Sequence, residues 1–267
     1  MQGKEVVQMI CALCGKNAEL QQSHIIPKLV YSRIKSHKNS RFRSLDNITK
    51  IMQDGEKRPM LCHECEELFS SYEVKFPKLF LDDYLETNKF KKITSGLIEN
   101  YILTVAWRIL WDELYRLHSF TDHFSRPIFE EFCDDLGKYL LSIGKGCEEK
   151  PPKRFRNYVY PLCDLISDEA INKISTGCLF GYVMYFKDSN SFSVIVYYAG
   201  LVFVTDYLYD RTKYIILNTK PILFRKGYRK KEIISELRYM FGQIALQYNQ
   251  KMTPELSGKI KKYYQKH

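Results

Sequence analysis

Hydrophobic positions along the chain follow three successive patterns. Up to about Lys78 they form short apolar runs separated by polar turns, with little long-range periodicity. From about Phe90, Ile93, Leu97, Ile98, Tyr101, Val105, Ile109 and Leu110 recur at three- and four-residue steps, and Trp107 and Trp111 widen the stripe; this predicts a largely buried helix. A second helix is predicted from about Pro127, a favourable first-turn residue, with Ile128, Phe132, Leu136, Tyr139 and Leu140 on one side. The run GKGCEEKPPKRFR, residues 144–156, breaks the regularity and reads as a basic loop.

Over residues 157–219 the period shortens. GCLFGYVMYF, FSVIVYY, LVFVTDYL and KYIILNT are β-prone runs separated by turn signals, among them KDSNS and the dipeptide Ala199-Gly200, and they predict an antiparallel meander. After Pro221 and the basic stretch RKGYRKK, a last amphipathic helix runs through Ile233, Ile234, Leu237, Phe241, Ile244 and Tyr248 to a short basic tail. The pattern gives an α+β chain in which helices precede an antiparallel β meander and a C-terminal helix. We place the boundary near residue 78, between a small module over 1–78 and a larger α+β domain over 79–267 whose role the sequence does not assign.

Composition narrows the class. Hydrophobic residues make up 45% and charged residues 27% of the 267, the balance of a folded chain and not of a disordered one. The most apolar helical stretch, 97–114, is interrupted by Glu99, Asn100, Arg108, Asp112 and Glu113, and the N-terminal apolar run is too short for a secretory signal, so a cytoplasmic protein without a membrane span is expected. A net charge of +10 suits a polyanionic partner, nucleic acid above all, although a solvated basic surface gives the same number. Arg33, Lys35, Lys38, Arg41 and Arg43, interleaved with Phe42 and free of anions, form the stretch that best fits a phosphate backbone, as a loop or a frayed helix.

The eight cysteines carry the clearest chemistry. Cys11 and Cys14, and again Cys62 and Cys65, stand in C-x2-C spacing, and two such pairs supply four thiolates to one tetrahedral zinc with no open position, a structural site. His63, inside the second pair, is an alternative ligand. Cys133, Cys147, Cys163 and Cys178 share no such spacing and read as small buried hydrophobes.

A cysteine pair followed by the run SHIIP and then by LC-x2-C opening a helix resembles the HNH nuclease family. The matching residues are Cys11, Cys14, His24, Pro27, Leu61, Cys62 and Cys65, all within about the first 78. The resemblance implies a zinc-stapled ββα module in which His24 is the general base that activates water against a phosphodiester of DNA or RNA. It also implies a divalent cation such as magnesium at the leaving oxygen. Three positions depart from the family pattern: Ser23 precedes the histidine where Asp or His is usual, Lys57 replaces an Asn, and Glu66 replaces a His after the fourth cysteine. Glu66, a hard oxygen donor, is the remaining candidate for magnesium, with Asp54 next, while Lys57 and Arg58 are placed to add charge near a phosphate.

Histidine suits the assigned chemistry on its own terms, because its unperturbed pKa near 6.5 lets it take a proton at neutral pH. The rival reading of His24 is a hydrogen-bonded buttress of the zinc site. Two other functions stand beside the nuclease: a non-catalytic, zinc-dependent nucleic-acid-binding protein that kept the scaffold, and an interaction or sensor protein acting through residues 79–267.

Overall fold

The first cysteine pair sits at the turn between β1 (Met9–Ile10) and β2 (Asn17–Ala18), which pair antiparallel. Next, β3 (Leu20–His24) pairs antiparallel with β6 (Lys57–Cys62), with a register shift between Gln21 and Gln22. Strand β6 delivers its last residue, Cys62, as the N-cap of α2 (His63–Glu73), so strand and helix share the second cysteine pair between them. Acids at Glu64 and Glu66 in the first turn of α2 suit the positive end of its dipole. The computed structural model that gives this arrangement describes residues 9–38, 42–43, 51–52, 54–89, 96–116, 126–145, 155–175, 178–186, 191–207, 230–251 and 254–255.

Between β3 and β6 lie α1 (Lys28–Lys38) and a two-residue pair, β4 (Phe42–Arg43) with β5 (Ile51–Met52). The basic stretch is therefore helical as far as Lys38. After α2, one π-helical turn (Pro77–Leu81) leads into α3 (Asp82–Thr87), which ends at Asn88 in the left-handed region, a conformation that asparagine tolerates. Then come the two predicted helices, α4 (Gly96–Arg116) and α5 (Arg126–Gly144).

Three of the four predicted meander runs join a strand the pattern did not single out in a four-stranded antiparallel sheet of β7 (Phe155–Pro161), β8 (Phe180–Phe186), β9 (Ser191–Tyr198) and β10 (Leu201–Tyr207), in the order β7-β10-β9-β8. Residues 155–161 correct the sequence reading, which put a basic loop up to 156 and no strand directly after it. Phe155, Asn157, Val159 and Pro161 are buried opposite β10, and this long-range pairing outweighs the local loop signals. Two short helices, α6 (Leu162–Leu165) and α7 (Glu169–Ser175), also escaped the pattern because each is too brief to show a period. Residues 146–154 and the KYIILNT run lie outside the described residues.

Alternation in the sheet builds two apolar faces. Phe192, Val194, Val196 and Tyr198 of β9, with Leu201, Phe203 and Tyr207 of β10, join the core formed with α4 and α5. Ile195, Tyr197, Val202 and Val204 face the other way and pack with Ile233, Leu237, Phe241 and Ile244 of α8 (Lys230–Lys251). The turn between β9 and β10 takes positive φ at Ala199 and Gly200, 56° and 82°, the conformation that matches the twist of a tight hairpin.

The first core does not stop at residue 78. It contains Cys11, Leu13 and Phe69 together with Trp107, Leu136 and Phe203. Phe76 stacks on Tyr101 with centroids 3.8 Å apart, and Phe69 meets Trp107 edge-on at 5.6 Å. The N-terminal module is thus packed on α4 through large aromatic side chains, each contributing about 1.5–3 kcal/mol when fully buried. Among the described residues no helix is long and apolar enough to cross a membrane.

Candidate metal centre and adjoining site

The sulfurs of Cys11, Cys14, Cys62 and Cys65 all lie within 4.8 Å of one another. Tetrahedral ligation at roughly 2.3 Å separates sulfurs by roughly 3.8 Å, and Cys14 Sγ lies 3.8 Å from Cys62 Sγ. The backbone N–H of Cys62 donates to Cys11 Sγ at 3.3 Å, and that of Ala12 donates to the Met60 carbonyl at 3.0 Å, which ties the first turn to β6. A hydrogen bond from the Cys65 side chain is the largest influence drawing the Cys11 thiol down to about 4, against its burial. The group suits a structural metal such as zinc: four soft donors, three of them buried, with no position left for a substrate.

His63 is not part of it. Its ring is exposed and lies 3.3 Å from Glu67, one helical turn on. Of the remaining cysteines, Cys133 and Cys178 are buried as expected, whereas Cys163 is exposed on α6, contrary to the buried reading; Cys147 lies outside the described residues.

Two small constellations lie along the β3–β6 pair, one on each face, because neighbouring side chains in a strand point opposite ways. On the face toward α2 and α4, Ser23 is fully buried and donates its hydroxyl to Glu66 Oε2 at 2.6 Å. The other oxygen of Glu66, Oε1, lies 3.7 Å from a guanidinium nitrogen of Arg108. Arg108, carried by α4 and 1% exposed, ion-pairs with Glu73 through Nη1 and sits over the Phe69 ring at 4.8 Å. Glu73 is buried beside Arg108, and burial pushes its carboxyl up while the guanidinium opposes that shift.

Arg58 extends this face. It pairs with Asp112 of α4 at 3.0 Å and with Glu56 at 2.9 Å.

The opposite face holds His24. Nε2 lies 3.4 Å from Asp54 Oδ2, and the same oxygen receives Lys57 Nζ at 2.6 Å. Lys57 stands directly across the ladder from His24, which explains their common partner. The ring is 16% exposed, neither sealed nor open. Burial lowers the His24 pKa below its usual 6.5, with Lys57 and Lys28 adding to that and Asp54 opposing it, so the ring is neutral at pH 7. Lys57 is also the largest influence holding Asp54 below the usual carboxylate range.

The sequence reading gives His24 as the base and Glu66 as the candidate for magnesium, but each has its own partners. Glu66 has Ser23 and Arg108; His24 has Asp54 and Lys57. The chain gave Asp54 as a secondary metal candidate and contained no sign that Arg108 or Asp112 would reach back to the module. Of the cations assigned to phosphate, Arg33 is bound to Asp82 at 2.8 Å, Arg58 to two acids and Lys57 to Asp54. Lys35 is half-buried on α1, Lys38 and Arg43 belong to α1 and β4, and Arg41 lies outside the described residues.

Comparison of the chain with protein-family models, with curated proteins and with solved structures finds no match. Fold and site therefore define the class by themselves: an α+β protein with antiparallel sheets, in which a four-cysteine group suited to a structural metal joins a β pair to a helix.

Proposed function

We propose that the module is a zinc-stapled, HNH-like nuclease unit acting on the phosphodiesters of DNA or RNA, with His24 as general base. The observation that carries it is the His24–Asp54 pair beside Lys57, on the part-exposed face of the strands that the cysteines clamp. Donating Nε2–H to Asp54 leaves Nδ1 bare, and a neutral ring with a fixed tautomer can take a proton from water as its oxygen attacks phosphorus. Lys57 places a positive charge beside the same site, where charge builds up on the phosphoryl oxygens. Zinc on Cys11, Cys14, Cys62 and Cys65 would hold the strand ends and the helix start together and take no part in the reaction.

Magnesium at Glu66 does not fit the arrangement, since each carboxylate oxygen already faces a donor, Ser23 or Arg108. That observation favours a second reading, a nucleic-acid-binding protein built on the same scaffold without hydrolysis. Incubating the purified protein with labelled single- and double-stranded DNA and RNA, across several divalent ions, separates the two. Cleavage lost in His24→Ala supports the nuclease; binding that falls steeply with salt, without cleavage, supports the binder.

A further inference from the structure

The turn that carries Asp54 is gripped from one side. Gly55 is buried, and a Cβ placed on it would overlap Oη, Cζ and Cε2 of Tyr31, far inside any permitted contact. Tyr31 is itself 6% exposed on α1 and is wedged edge-on against Phe42, with centroids 5.0 Å apart. Burial and the Phe42 contact therefore oppose any swing of its ring. On the other side, the Ile25 N–H donates to the Glu56 carbonyl at 3.0 Å, joining the residue after His24 to the residue after Gly55. Asp54 and His24 are thus held by a backbone bond on one flank and by an aromatic ring pressed on bare backbone on the other.

We propose that Tyr31 and Gly55 are positioning residues for the candidate site: their contact fixes the turn so that Asp54 accepts from His24 Nε2 and Nδ1 stays bare. This rests on the nuclease reading for its catalytic consequence, but not for the contact or the tautomer. The ring has no reach to substrate, and Gly55 has no side chain, so both act only through Asp54. Any side chain at 55 must displace either the ring or the turn. In a packed interior neither moves without cost, and the turn, part-exposed at Asp54, is the one that gives.

The test is 15N NMR of the full-length protein with labelled histidine, which reads directly which ring nitrogen carries the proton. Wild type should show His24 protonated at Nε2, and Asp54→Ala sets the reference for loss of that preference. Gly55→Ala and Tyr31→Leu should each move His24 toward the Asp54→Ala tautomer mixture while zinc content and circular dichroism stay at wild-type level. On a cleaved oligonucleotide, both should lower kcat roughly 10- to 100-fold with KM little changed. If Gly55→Ala fails to fold, Tyr31→Leu decides the matter. An unchanged tautomer in the folded variants overturns the positioning role. A wild type that cleaves nothing but shows the predicted tautomer shifts overturns the nuclease reading and leaves this one standing.

Discussion

Ser23 and Glu66 are joined by a hydrogen bond of 2.6 Å across 43 residues of sequence, and Arg108 stands against the other oxygen of the same carboxylate. The bond is buried at the serine and charge-assisted at the glutamate, so it ties β3 to α2 more firmly than a neutral pair would. Ser23→Ala should cost about 1–3 kcal/mol, because it leaves a carboxylate oxygen without its donor. Denaturant unfolding with zinc bound measures this. Glu66→Gln should likewise lower stability and leave the divalent-ion dependence of any cleavage as it was; a higher ion requirement in that variant would return Glu66 to the metal.

The clasp should hold one zinc per chain, measurable by elemental analysis of protein purified without chelator. Ligation and folding of the module are coupled, so Cys62→Ser, or zinc removal, should strip its secondary structure and lower Tm. Because Phe69 and Phe76 of the module lie in one core with α4, the loss should spread beyond residue 78. Unfolding confined to the first 78 residues would contradict the continuous core.

Arg108 is a buried charge that faces two acids, Glu73 and Glu66. Arg108→Met should destabilise by about 3–5 kcal/mol, since it strands Glu73 without its counter-charge. Adding Glu73→Leu should recover much of the loss, because an apolar pair of similar volume escapes the desolvation penalty. A double-variant loss equal to the sum of the two single losses would show that the pair is not coupled. A double-mutant cycle by chemical denaturation gives the answer directly.

For His24 the expected outcome is catalytic. His24→Ala should lower the cleavage rate about 10²–10⁴-fold with zinc content and Tm near wild type. A base works unprotonated, and burial lowers the His24 pKa, so kcat/KM should rise through an acid limb below pH 6.5 and level off above it. Lys57→Met removes one of the charges that lower that pKa and should shift the limb upward. A limb that stays in place would mean that another group is titrating.

Nucleic-acid affinity should respond unequally to the basic residues. Arg33 and Arg58 are paired with Asp82 and with Asp112 and Glu56, so neutralising them should cost stability and change the salt slope little. Neutralising Lys35, Lys38, Arg41 and Arg43 together should flatten the slope by about one unit for each phosphate left without its cation. Affinity measured against salt for both sets of variants distinguishes them.

Features that depend on spacing could be read along the chain before any fold was known. Cys11, Cys14, Cys62 and Cys65 were legible as one candidate metal group because C-x2-C turns put two sulfurs on one side wherever they fold. The apolar stripes of α4, α5 and α8 and the alternation in β8, β9 and β10 were legible because a single period sets which face is buried. Which groups meet across the fold is another matter, since partners far apart in sequence leave no periodic trace. Arg108 and Asp112 interrupt an apolar stripe and look like its polar edge until α4 packs on the module, where they meet Glu73, Glu66 and Arg58. Strand β7 forms along the edge of β10 left open by β9, and neither Arg156 nor Pro161 announces it. His24 takes Asp54 and not Glu66 because alternation along β3 sends Ser23 and His24 to opposite faces, and only the completed β3–β6 register shows which acid waits on each side.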